Sequence, residues 1–194
     1  KQSLPKGAEG WFAVPKWQKI NPTSYVGAIM KAIAILASQW ELHNNIKNGS
    51  IRERESYPNS EGLETISEQQ KGDILIVPAQ FGRLHYSFHD IFHSLGSIYG
   101  AFEDNEFSLG IFAITCMLLS HPERLDRCSI DLSIACNGDE YFPKGTNRLV
   151  IIEGSCDGLT PYYKLHGHNL ELGVTEKYLL DIGCGFPTGF VSPR

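Results

Sequence analysis

"CSIDLSIACNGDEY", Cys128 to Tyr141, is where the hydropathy pattern of this chain changes period. Ile130, Leu132, Ile134 and Cys136 alternate with Asp131, Ser133 and Ala135. That period of two sets one face of a strand on a core and leaves the other wet. "NGDE", Asn137 to Glu140, then supplies turn chemistry. Downstream, Arg148–Glu153, Pro161–Leu165, Leu170–Val174 and Lys177–Ile182 read as further strands, separated by Gly, Asn or Asp.

Upstream the period is helical. Val26, Ile29, Met30, Ile33, Leu36, Ala37 and Trp40 predict a helix running to about Leu42, with Asn21 as its N-cap and Pro22 in its first turn. Ser60 to Lys71 predicts a short helix with Leu63 and Ile66 inward and Gly72 as its stop. "FSLGIFAITCMLL" (Phe107–Leu119) is apolar on all sides, which predicts a helix from about Glu106 to Ser120 in the centre of the core. Two extended segments interrupt this half. "GWFAVPKW" (Gly10–Trp17), ended by Pro15, reads as an edge strand or an extended arm. "DILIVPA" (Asp73–Ala79) is a continuous apolar run and reads as a buried strand.

Helices first and strands later give an α+β fold. Three to four helices pack on one face of a mostly antiparallel sheet formed largely by the C-terminal half. A single domain is expected over residues 1–194, with a helical half at about 20–125, a β-rich half at about 126–194 and a surface loop at about 44–62. Hydrophobic residues at 42% and charged residues at 20% are ordinary for a globular chain and exclude disorder as its character. The formal charge of −5 gives no electrostatic case for nucleic acid or an anionic membrane, although the first 31 residues carry five lysines against Glu9 alone. No apolar run reaches the roughly 20 residues that span a bilayer. The chain begins at Lys1, which fits a removed leader and trimming equally. Cys116, Cys128, Cys136, Cys156 and Cys184 are odd in number and lack a C-x-x-C pair, which favours reduced thiols and an intracellular, cytoplasmic setting.

Four stretches carry candidate chemistry. In "LHYSFHDIFHSLGS" (Leu84–Ser97), His85, His89 and His93 recur four apart on a helix whose core stripe is Leu84, Phe88, Ile91, Phe92, Leu95, Ile98 and Tyr99. Neighbouring pairs suit chelation of a divalent metal such as zinc, while the outer two lie about 12 Å apart, so a third ligand has to come from elsewhere. The plainer reading is a polar helix face. In "ACNGDEY", Cys136, Asp139 and Glu140 are the catalytic candidates: a thiol nucleophile, or two carboxylates for acid–base work or a hard metal. The plainer reading turns the chain at Asn137-Gly138, with Cys136 inward and both acids solvated.

"LHGHNLEL" (Leu165–Leu172) resembles the cupin H-x-H metal pattern through His166, His168 and Glu171, but Gly158 and Glu171 are misplaced for it and a hairpin turn is simpler. "YLLDIGCGFPTG" (Tyr178–Gly189) resembles the first motif of class I S-adenosylmethionine-dependent methyltransferases. Pro187 and Pro193 oppose the helix that such a motif enters, and no nucleotide is expected. "EGWFAVPKW", "DILIVPAQFG", "HPERL" and "CNGDEY", taken in order, are similar to segments of an uncharacterised family of small bacterial proteins. That resemblance implies an intact domain and carries no activity across.

Two main readings of function follow, with the enzyme question open. One is a non-enzymatic binding or interaction protein, with a protein partner or a second copy, docking through an apolar patch around Trp11, Phe12 and Trp17. The other is a metal-dependent hydrolase that joins the histidine face to Asp139 or Glu140. A thiol enzyme built on Cys136 comes third.

Overall fold

A computed structural model describes residues 3–46, 49–53, 62–81, 105–126, 133–143, 159–166, 169–175, 184–185 and 187–191. Along the chain these form β1 (Gly10–Pro15), α1 (Trp17–Ile20), α2 (Tyr25–Gln39), β2 (Glu41–Asn44), β3 (Gly49–Glu53), α3 (Gly62–Gln69) and β4 (Ile74–Gln80). They continue with β5 (Glu106–Ser108), α4 (Ile111–Ser120), α5 (Glu123–Asp126), β6 (Ser133–Ala135), β7 (Asp139–Pro143), β8 (Thr160–His166), β9 (Asn169–Thr175), β10 (Cys184–Gly185) and β11 (Thr188–Phe190). The fold is α+β. Its strands are shared between the two halves of the chain rather than gathered in the second.

One sheet has the order β1-β4-β11-β5 and is antiparallel throughout. A second has the order β10-β6-β8-β9-β2, with parallel pairs only at its two edges. β3 and β7 form a separate antiparallel pair. The core lies where these layers meet at α4. From Ile111 to Leu118 every residue of this helix is buried, as expected of a sequence with no polar side. It packs on α2 and on β1. Toward the second sheet, the Tyr163 hydroxyl of β8 lies 2.7 Å from Thr115 Oγ1. Thr115 donates its own proton to the Ile111 carbonyl at 2.6 Å, so Tyr163 is the donor between the two.

Several boundaries differ from the expectation, each for a local reason. Ser24 rather than Asn21 caps α2: its Oγ accepts the Gly27 N–H at 3.0 Å. Asn21 instead turns its side chain back on Thr23. The helix ends at Gln39, and Glu41–Asn44 runs alongside β9. Glu106–Ser108, read as the first turn of the central helix, pairs with β11 as a strand, and the helix begins only after Gly110. β3 (Gly49–Glu53) lies within the expected surface loop, and β2 reaches its first residue. The expectations for Leu84–Tyr99, Arg148–Glu153 and Lys177–Ile182 lie outside the described residues.

Candidate interaction surface

The acidic turn is a structural joint. Asp139 and Glu140 are 0% and 1% exposed, so the expectation of solvated acids is corrected. Asp139 Oδ2 accepts the N–H of Ile111, the first residue of α4, at 2.5 Å. The Tyr25 hydroxyl adds bonds of 3.1 and 3.2 Å to the two carboxylate oxygens. Gly110 at the N-cap has no side chain to offer, so a carboxylate 28 positions away in sequence does the capping. Close approach makes this reach feasible. A Cβ on Gly138 would stand 2.6 Å from the Gly110 nitrogen, and one on Gly110 would stand 2.6 Å from Asp139 Oδ2.

Cys136 is a thiol outside any disulfide, at 0% exposure and beside the buried Tyr163 phenol. That phenol is pushed well above its ordinary range, first by burial and then by the neighbouring Cys136. Such burial denies the thiol the access that a nucleophile needs. His85, His89 and His93 lie outside the described residues, as does His168. His121 is described, and its Nδ1 lies 3.0 Å from Glu123. Among the described residues no group of three or more His, Cys, Asp or Glu could hold a metal ion. After the glycine-rich stretch at 183–185, residues 188–190 form strand β11, where a methyltransferase motif would require a helix. β8 and β9 close their register at His166↔Asn169, as expected of a hairpin across "HGHN".

The N-terminal sheet presents a different surface. On β1, Phe12 and Val14 are 1% exposed and join the core with Leu75, Val77 and Ala79 of β4. Phe12 packs on Phe81 and on the edge of His121, with Arg124 over its ring, so it leaves the expected aromatic patch. Trp17 also turns inward in part, edge-on to Tyr25 at 5.7 Å. The opposite face carries Trp11 and Ala13 of β1 in register with Pro78 and Ile76 of β4, and Pro15 beside Ile74. Ala13 is exposed, Ile76 is 44% exposed and Ile74 57%. "DILIVPA" is therefore buried on one face only at its N-terminal end. These residues share one face by strand parity, so their exposure forms a patch. Met30 and Ile35 of α2 are also exposed, but five residues turn a helix by about 140°, which separates them.

Among the described residues β1 is an edge strand of its sheet as well. Gln70 accepts the Ile76 N–H at 2.8 Å and donates to the Ile76 carbonyl at 3.0 Å. The Ile76 main chain thus points away from β1, and in an antiparallel pair its partner Ala13 points away too. Trp11, opposite Pro78, has the same parity. The Lys16 N–H, of opposite parity, donates to the Asp73 carbonyl at 2.8 Å. Among the described residues nothing meets the main-chain groups of Trp11 or Ala13. Pro15 closes the strand, but no charged side chain guards its middle. The sequence marked the edge strand and the tryptophan. It could not mark Ile74 and Ile76, because a continuous apolar run has no period to show which face stays wet.

No family model, curated protein or solved structure matches the chain. No helix among the described residues is long and apolar enough to cross a membrane.

Proposed function

We propose that this chain is a non-enzymatic interaction protein that docks an extended segment of a partner along β1. The observation that carries the reading is the open β1 edge: outward main-chain groups at Trp11 and Ala13 beside an apolar face that includes Ile74 and Ile76. Strand addition uses those two components together, with main-chain hydrogen bonds for affinity and alternate side chains for selectivity. The hydrolase reading gains no support from Asp139, whose carboxylate is engaged by the start of α4 and by Tyr25.

Ala13→Pro tests this directly. It removes an N–H that does not bond β4, and proline is tolerated at such edge positions, so the fold is retained. Peptides selected from a displayed library should shift the amide resonances of Trp11, Ala13 and Ile76, and should bind the variant about tenfold or more weakly. Equal binding by the variant, or selected peptides that shift other regions only, would refute the proposal.

A further inference from the structure

We infer that Gln70 is an edge guard: its carboxamide takes the place of a neighbouring strand beside Ile76 and keeps β4 closed to strand addition on the side where β11 leaves it. The inference stands on β4 and α3 and is independent of the docking reading of β1.

The gap arises from the path of β11. β4 is an inner strand, with β1 on one side and β11 on the other. Its even-numbered positions turn their main-chain groups away from β1, toward the β11 side. β11 meets β4 only at Gln80 and Ala79. The next even position is Pro78, which has no N–H to give. Ile76 follows, and its N–H and C=O face a place that no strand fills among the described residues.

Gln70 fills it. Its Oε1 accepts the Ile76 N–H at 2.8 Å, and its Nε2 donates to the Ile76 carbonyl at 3.0 Å. A strand partner in a hydrogen-bonded antiparallel pair bonds both main-chain groups of one residue in the same way, so this side chain replaces one residue of strand. The amide is held there by its own main chain. The Gln70 N–H closes the end of α3 on the carbonyl of buried Ile66 at 3.0 Å. α3 has no basic residue in its last turn. Lys16, just past β1, supplies the cation instead and donates to the Ser67 and Gln70 carbonyls at 3.0 and 3.1 Å. That satisfies carbonyls left over at a helix C-terminus and suits its dipole.

The surroundings of the gap give the guard its purpose. Ile74 and Ile76 are 57% and 44% exposed, and "ILIVPAQ" carries no charge of its own to blunt the edge. An open main chain beside exposed branched apolar side chains is a template for edge-to-edge association. Gln70 removes the template by occupying the hydrogen bonds themselves.

Amide exchange by NMR and sedimentation velocity, both on the full chain, test this with Gln70→Ala. The Ile76 amide should be protected in wild type and exchange about tenfold or more faster in the variant. The Leu75 and Val77 amides, which face β1, should stay as slow as in wild type. The variant should also associate more strongly than wild type as its concentration rises. Adding Ile76→Lys should reverse that association by setting a charge beside the open edge. Gly138→Ala, destabilised elsewhere with Gln70 in place, should associate no more than wild type. Equal Ile76 exchange in wild type and Gln70→Ala, or a loss of protection that extends to Leu75 and Val77, would overturn the inference. So would a variant no more associated than wild type, association shared by Gly138→Ala, or association that Ile76→Lys leaves unchanged.

Discussion

Replacing Asp139 separates a structural carboxylate from a catalytic one. In Asp139→Ala the Ile111 N–H, at the buried start of α4, loses an acceptor at 2.5 Å, and the Tyr25 hydroxyl loses its two bonds to that carboxylate. Losing a helix cap costs about 0.5–2 kcal/mol, and stranding a buried donor costs about 1–3 kcal/mol. The buried charge near the helix N-terminus adds up to about 2 kcal/mol. These contributions overlap, so the expected loss is about 3–5 kcal/mol. In a chain of this size that lowers Tm by about 6–20 °C. Asp139→Asn keeps a side-chain oxygen for Ile111 but gives up the charge and turns the second acceptor oxygen into an amide donor, so about 1–2 kcal/mol is expected. Urea unfolding of both variants, with Tyr25→Phe alone and combined with Asp139→Ala, completes the test. Once Asp139 is absent, removing the Tyr25 hydroxyl should cost much less than it does in wild type. Equal losses in the Asn and Ala variants, or additive losses in the cycle, would refute the capping account.

Two glycine substitutions make a contrasting pair. Gly138→Ala should cost about 1–3 kcal/mol, because its Cβ would stand 2.6 Å from the Gly110 nitrogen and 2.8 Å from the Leu109 carbonyl carbon. Gly10→Ala, with only the Phe12 ring at 3.5 Å, should be near neutral in the same chemical unfolding assay. Burial pushes the Cys116 thiol from 9.0 up to about 12. Below about pH 9 both states keep the proton and the contribution is whole; as pH climbs toward 12 only the unfolded chain ionises, and stability falls by about 1.4 kcal/mol per unit, about 4 kcal/mol in all. Cys116→Ala should flatten this alkaline slope in a pH series of melts, and an unchanged slope would contradict the assignment.

What could be read from the sequence was whatever local chemistry decides. The central helix was legible because Ile111 to Leu118 has no polar side, and the edge strand because Pro15 ends it. The start of α4 was misplaced because Phe107 suits strand and helix equally, and a pairing with Gly189 on β11 decided it. Asp139 and Glu140 read as solvated because Asn137-Gly138 already explained the turn; Asp139 is instead taken up by the start of α4, distant in sequence, and Glu140 is buried in β7 opposite β3. Half of the outer face of the β1–β4 pair was visible in Trp11. The other half, Ile74 and Ile76, depends on what leaves that end of the sheet uncovered, and no pattern within "DILIVPA" encodes it.

The central claim is that β1 offers an unpaired edge to a partner strand. Amide hydrogen exchange resolved along Gly10–Pro15 tests it most directly. The Phe12 and Val14 amides, which face β4, should be protected while Trp11 and Ala13 exchange freely; the latter two should slow when a strand partner is added. Protection of Trp11 and Ala13 already present without a partner, or exchange there indifferent to any partner, would contradict the account.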